Sequence, residues 1–246
     1  MSASDKSSRS SKSTPQEIRE RFDKDVDRFS NLQTGQAAIL DAPLLLDLIT
    51  AAAALSSPGA TELLDVGCGA GNFTLKLLQK LPNLNVTLID LSQPMLDRAV
   101  QRITSVGRGG RSVKPLQGDV RDLDLGEGTF DIIVAASVLH HLRSDDEWEA
   151  VFRAFHRALR PGGSIWISDL VSHELPGIQA MMWQRYGEYL TQLKNDAYRD
   201  EVFAYVDRED TPRPVTWQLD LLLKVGFKAV ELLHKNSCFA AFGAVR

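Results

Sequence analysis

The sequence predicts an α/β protein built on a doubly wound, mostly parallel sheet of seven strands. Three observations carry that expectation. From residue 62 onward, short apolar runs alternate with longer amphipathic ones, the texture of strands joined by crossover helices. A glycine-rich stretch, "GCGAG", links the first apolar run to the first of those helices. Two last strand-like segments lie close enough in sequence to pair as a C-terminal antiparallel hairpin. A chain of 246 residues, 43% hydrophobic and 24% charged, has the length and composition for one large core.

Residues 1–14 hold seven serines and no apolar run, so they are expected to form a disordered tail. Residues 15–246 then read as one domain. Its N-terminal helical extension covers 15–58, in "EIRERFDKDVDRF" and "QAAILDAPLLLDLITAAAAL", with Ile39, Leu40, Pro43 and Leu44 marking where one helix ends and another begins. The core covers 59–172. Strand one is "ELLDV", and its helix starts near Asn72 and stops at "LPN". Strand two, "NVTLID", leads to a helix capped by Ser92, with Met95, Leu96, Ala99, Val100 and Ile103 in one stripe. Strand three is "VKPLQ". Strand four, "FDIIVAASVL", is apolar throughout, as a strand buried on both faces should be. The helix "DDEWEAVFRAFHRA" ends at "LRPGG" and hands over to strand five, "SIWISDL". A helical insertion after strand five spans 173–216, and 217–246 supplies the last helix and the hairpin "KAVELLHKN" with "CFAAFGAV".

Bulk properties exclude several classes. The net charge of −4 argues against capture of nucleic acid, and "RGGR" at 108–111 reads as a solvated loop. Cys68 and Cys238 make neither a disulfide framework nor a metal quartet, so no metal is expected and a reducing, cytoplasmic setting is. No signal-peptide apolar region is present, and no apolar run approaches the ~18–20 residues a membrane helix needs.

The glycine loop decides the ligand class. A phosphate-binding P-loop needs a lysine after the last glycine, and Asn72 stands there. A dinucleotide loop needs G-x-G-x-x-G, whereas Gly67, Gly69 and Gly71 are spaced G-x-G-x-G, and little chain remains for a second domain. "LLDVGCGAG", an acidic Asp90 placed 19 residues after Gly71 at the end of strand two, "GDV" after strand three and "SVLHHL" after strand four together resemble the class I S-adenosylmethionine-dependent methyltransferases, over about residues 60–170. The resemblance implies S-adenosylmethionine as cofactor and S-adenosylhomocysteine as product. A zwitterionic amino-acid end and a sulfonium suit a site of backbone N–H groups at a helix N-terminus, without a pyrophosphate's charge.

The cofactor-binding set implied is Asp65, Gly67, Cys68, Gly69, Asp90, Leu91, Met95, Asp119, Val120 and Ser137. Asp90 is placed to accept from both ribose hydroxyls. Asp65 holds either the loop or a water near the ammonium. The resemblance puts Asp119 at the adenine amino group, with Val120 backbone beside it, and Met95 at an adenine wall; core packing is the other reading of Met95. Cys68 reads as a small loop residue, since nothing cationic lies near it in sequence.

His140 and His141 are the candidate catalytic residues, at the carboxyl edge of strand four; a structural histidine facing a helix cap is the alternative reading. Trp183 and Tyr186 lie on one helical stripe, either a substrate wall or the insertion's own core. The expected activity is in-line methyl transfer to a small-molecule acceptor by a monomer or homodimer, the N-terminal helices and the insertion closing over the site. Two alternatives stay open. "RFDKDVDRF" and "CFAAFGAV" resemble the carboxy-S-adenosylmethionine synthases of tRNA modification, although "TWQLDLLLKVGF" lacks the arginine that family uses. A non-catalytic S-adenosylmethionine-binding protein is the other.

Overall fold

The computed structural model describes residues 12–31, 36–106 and 112–246. Seven strands form one sheet: β1 Glu62–Val66, β2 Asn85–Asp90, β3 Val113–Gln117, β4 Phe130–Ala136, β5 Leu159–Leu170, β6 Ala229–Asn236 and β7 Phe239–Val245. Their spatial order is β3-β2-β1-β4-β5-β7-β6. Only β7 runs against its neighbours, so it slots between β5 and β6 and leaves β6 at the edge. The order reverses between β1 and β4, which opens a crevice at the carboxyl ends of those strands, the place where open α/β sheets hold ligands.

Nine helices flank the sheet among the described residues: α1 Pro15–Phe22, α2 Val26–Ser30, α3 Ala42–Ser56, α4 Asn72–Lys80, α5 Gln93–Ser105, α6 Asp145–Ala158, α7 Pro176–Leu193, α8 Asp196–Glu209 and α9 Val215–Val225. Strand alternation divides the core. In β1, Leu64 and Val66 join the cluster of Trp148, Phe152, Phe155 and Phe242, while Leu63 joins Leu45, Ile49, Leu77 and Leu88 on the other face. Ser92 caps α5 as expected, accepting from the Met95 N–H, and Ser144 and Asn195 cap α6 and α8 likewise.

Several boundaries differ from expectation. "EIRERFDKDVDRF" is two helices, because the chain turns at Asp23–Asp25 and folds the Phe29 ring back to 5.6 Å from Phe22. Residues 36–41 form turns, so only one helix runs through the second N-terminal stretch. Strand β4 stops at Ala136, since Ser137 takes a left-handed φ of 53° that cannot continue a ladder, and Leu139–His141 is a short 3-10 turn. Strand β5 begins at Leu159, absorbing "LRPGG" through an irregular register with β4. Of the expected tail, residues 1–11 lie outside the described residues, as does "RGGR". Ser13 donates its N–H to the Arg208 carbonyl, and Thr14 closes a capping box with Glu17, so the chain is anchored from Lys12 onward.

Gly243 of β7 sits opposite Trp166 of β5, where a Cβ would lie 2.3 Å from the indole ring and 2.4 Å from the Ile165 carbonyl oxygen. Gly243→Ala is expected to lower unfolding stability by about 1–3 kcal/mol or more, read from the urea midpoint. A midpoint equal to wild type contradicts this packing.

Candidate functional site

The site is built at the reversal of strand order. Gly67, Gly69 and Gly71 all take positive φ, at 64°, 50° and 79°, so the turn from β1 into α4 needs glycine. At Gly67 the need is also steric, because a Cβ would stand 2.7 Å from the Val138 side chain. Cys68 N–H donates to the Ile89 carbonyl at 3.0 Å, lashing this loop to the end of β2.

Asp90 completes the tie. Its carboxylate accepts from Gly69 N–H at 2.8 Å and from Ser92 N–H at 2.9 Å. Burial raises its pKa to about 6 against those two N–H groups, and the nearby charge of Asp23 adds to the rise. Asp65 is buried too, and burial lifts it to about 6 against the Thr74 hydroxyl, which donates to it at 2.6 Å. Of the two roles open to Asp65, the structure shows it holding the first turn of α4 to the loop. Burial raises the Cys68 thiol well above its ordinary value, which fits a packed loop residue rather than a nucleophile.

Two adjoining cavities, with about 500 and about 830 Å³ of empty space, meet along Ile18, Gly67, Asp90, Leu91, Val138 and His141. The smaller runs past Asp119 and Val120; the larger takes in Asp65, Cys68, Gly69, Met95 and Ser137. Every residue expected to bind the cofactor therefore lines one or both. Asp119 is already engaged: its carboxylate accepts from the backbone and guanidinium of Arg121, and although burial opposes it, that pairing holds its pKa below the usual range. The larger cavity carries two carboxylates and no lysine or arginine among the described residues, a lining that fits a cationic ligand and disfavours a pyrophosphate. Phe22 and Phe29 roof it. That roof is clamped by Arg21, which donates to Glu209 at 2.9 Å and Tyr205 at 3.1 Å, and by Asn72, which donates to the Phe29 carbonyl.

The histidine pair divides. His140 is buried, its backbone N–H donates to Asp169 at 3.1 Å and its Nδ1 pairs with the same carboxylate. Burial pulls its pKa down, but Asp169 and Asp210 outweigh that and lift it to about 9. His140 lines neither cavity, which fits the structural reading of this residue. His141 lines both; its Nδ1 stands 3.2 Å from Asp210 Oδ1, and burial with the neighbouring His140 keeps its pKa below the ordinary value.

Trp183 and Tyr186 do not line the cavities. Trp183 stacks on Phe203 at 4.7 Å, and Tyr186 packs edge-on to Phe239 and donates its hydroxyl to the Ala38 carbonyl. Their stripe is the seam between α7, α8 and the N-terminal segment, a placement that fits the core-packing reading. Sequence reasoning missed Asp169 and Asp210, which reach the histidines from β5 and from the end of α8. It also expected no metal, whereas His140, His141 and Asp210 bring one potential ligand atom each to within 4.8 Å of one another.

Thr74→Val removes the only hydroxyl bonded to Asp65 among the described contacts, at nearly constant volume. Urea unfolding is expected to show a loss of about 1–3 kcal/mol, and an unchanged midpoint contradicts the role given to Asp65.

Residues 63–163 match the family model of a methyltransferase domain. The chain is 26% identical over 175 residues to demethylmenaquinone methyltransferase of Lactococcus lactis, covering 69% of this chain and 67% of that one. It is 34% identical over 110 residues to malonyl-[acyl-carrier protein] O-methyltransferase of Paenibacillus, covering 43% and 38%. The chain thus spans less than two thirds of the length of several curated relatives it matches. Among solved structures, Burkholderia thailandensis 1,6-didemethyltoxoflavin-N1-methyltransferase, with bound 1,6-didemethyltoxoflavin and S-adenosylhomocysteine, superposes with a TM-score of 0.61 at 19% identity, covering 95% of this chain and 91% of that one. The [4+2]-cyclase SpnF superposes with a TM-score of 0.66 at 17% identity, covering 96% and 97%. At such identities these two share the fold.

Proposed function

We propose that this chain, whose residues 63–163 match the model of a methyltransferase domain, is a class I S-adenosylmethionine-dependent methyltransferase that transfers the methyl in line to a small-molecule acceptor. The observation that carries the reading is the buried Asp90 carboxylate, fastened by Gly69 and Ser92 where the two cavities join. Fold likeness alone cannot choose a reaction, as the cyclase neighbour illustrates.

The residues fit the cofactor. Asp90 accepts from the ribose hydroxyls with the lone pairs its two N–H partners leave free. Leu91 and Val120 bound the adenine in the smaller cavity, with Asp119 at the amino group, and Met95 stands beside it from the larger one. The Gly67–Gly69 backbone and the N-terminus of α4 take the amino-acid end. The cofactor supplies an electrophilic methyl on a cationic sulfur. The protein contributes the approach angle and the exclusion of water beneath Phe22 and Phe29, which together account for most of the rate in such transfers. A small acceptor is supported by the cover that Phe22 and Phe29 give the larger cavity, held by the ion pair of Arg21 with Glu209.

Isothermal calorimetry with S-adenosylhomocysteine is expected to show binding by wild type and a loss of about 10²-fold or more in Asp90→Ala, the equivalent of two hydrogen bonds to a charged group. Wild type that binds neither S-adenosylmethionine nor S-adenosylhomocysteine overturns the reading.

The raised carboxylates set a pH dependence. A cationic ligand favours the ionised forms of Asp65 and Asp90, so S-adenosylmethionine affinity is full above about pH 6 and falls as pH drops through about 6. Calorimetry at about pH 7.5 and about pH 5 is expected to show a decrease of about tenfold or more, one pKa unit being worth a factor of ten. Equal affinities contradict the electrostatic account.

A further inference from the structure

We infer that His140 Nε2, His141 Nδ1 and Asp210 Oδ1 are the three protein donors of a site for a divalent transition-metal ion of the zinc class, seated where the histidine pair meets the end of α8. None of the three belongs to the cofactor-binding set, so the inference stands apart from the methyl-transfer reading.

The first observation is the spacing. The three residues bring one potential ligand atom each to within 4.8 Å of the others. Asp210 Oδ1 stands 3.2 Å from His141 Nδ1 and 3.7 Å from His140 Nε2. Donors about 2.0–2.2 Å from a tetrahedral zinc ion lie about 3.3–3.6 Å from one another, so the carboxylate is already near ligand spacing from both imidazoles. The second observation is an orphan. Asp210 is 4% exposed, and its Oδ1 has no hydrogen-bond partner among the described residues, although an imidazole nitrogen stands 3.2 Å away. An uncompensated buried carboxylate oxygen is costly, and the neighbouring cations are engaged elsewhere. Arg21 donates to Glu209 and Tyr205, Arg143 to the Glu209 carbonyl, and Lys12 to the Asp210 backbone carbonyl at 2.7 Å.

The third observation is the support behind His140. Its Nδ1 pairs with Asp169 Oδ1, and the other oxygen of that carboxylate accepts from the His140 backbone N–H at 3.1 Å. Asp169 is 1% exposed and also accepts from Leu170 N–H at 2.8 Å. A carboxylate held this way fixes the ring, keeps a proton on Nδ1 and leaves Nε2 for an ion, the arrangement that orients most metal-bound imidazoles. The fourth concerns His141. Its Nδ1 reaches the Glu209 carbonyl only at 3.4 Å, and Arg143 already donates to that oxygen. An ion on Nδ1 puts the ring proton on Nε2, which is buried and without a partner in a ring that lines both cavities.

The donor set selects the ion. Two imidazoles and one carboxylate suit zinc, iron(II) or cobalt(II), whereas magnesium and calcium favour oxygen donors throughout. Three protein donors leave one position of a tetrahedron for water. The histidines follow β4 and Asp210 follows α8, so the ion fastens to the sheet the helix end whose Glu209 clamps the roof.

The full-length, tag-free chain is stripped with EDTA, dialysed against zinc and freed of excess. Metal analysis of wild type is expected to find a single zinc per chain, and calorimetry to find the affinity lowered about 10²-fold or more in Asp210→Asn and His140→Gln. Asp169→Asn keeps all three donors and is expected to weaken zinc by about 10–100-fold. In wild type, histidine ¹⁵N NMR is expected to shift at His140 and His141 when zinc is added, with the His141 proton on Nε2, and cobalt(II) to show the visible bands of a low-coordinate ion. Zinc at about 100 times its dissociation constant is expected to raise the wild-type Tm by about 5–10 °C and leave that of Asp210→Asn unchanged. Circular dichroism equal to wild type shows that the variants fold, and the wild-type readouts decide the matter without them.

Wild type that retains no zinc overturns the inference and leaves the two imidazoles and two carboxylates as a charge network alone. Zinc held equally by wild type and Asp210→Asn, or ¹⁵N shifts centred on other histidines, overturns it as well by placing the ion elsewhere. S-adenosylhomocysteine affinity is read on the same samples: its absence removes the cofactor reading and leaves this inference standing, and its presence without zinc does the reverse.

Discussion

The arrangement depends on one buried carboxylate. Asp90 ends β2 and accepts from the backbone of two different loops, one leaving β1 and one opening α5. The glycine turn takes left-handed backbone at Gly67, Gly69 and Gly71, and Asp90 adds a second tie to β2 beside the one that the Cys68 N–H makes to the Ile89 carbonyl. Burying an ionisable group is costly, and the rise of Asp90 toward about 6 records that cost. Such strain concentrates where ligands bind, because a cation arriving beside Asp90 recovers part of it.

Function also depends on how the helical additions close the crevice. Helices α1 and α2 carry Phe22 and Phe29 over the larger cavity, and Arg21 ties them to Glu209 and Tyr205 of α8. The residue after Glu209 is Asp210, which reaches the histidine pair. One helix end therefore both clamps the roof and brings Asp210 to 3.2 Å from His141 Nδ1, so the roof and the histidine pair share one support. Glu209 also pairs with Arg208 at 3.3 Å, so two guanidinium groups hold the carboxylate that anchors the roof.

Much of this was legible locally. The alternation of apolar and amphipathic runs identified the sheet, and "LLDVGCGAG" with Asp90 marked a turn and a carboxylate that the structure joins beside the cavities. Elements decided by distant contacts were not legible. Ser137 interrupts an apolar run that periodicity reads as continuous strand, since its left-handed backbone leaves no mark on hydropathy. Trp183 and Tyr186 share a helical face, but spacing does not say whether that face meets a cavity or another helix. Asp210 was one acid in a charged stretch, and only the path of α8 brings it to His141. The Asp119 pairing with Arg121 lay within "GDVRD" and shows that a residue aligned with a binding role can also have a local partner.

The most direct measurement is a crystal structure with S-adenosylhomocysteine bound. The account predicts both ribose hydroxyls donating to Asp90, the amino-acid end on the Gly67–Gly69 backbone, and the sulfur facing the part of the cavity that His141 lines. A ribose turned away from Asp90, or a ligand seated outside these two cavities, contradicts it.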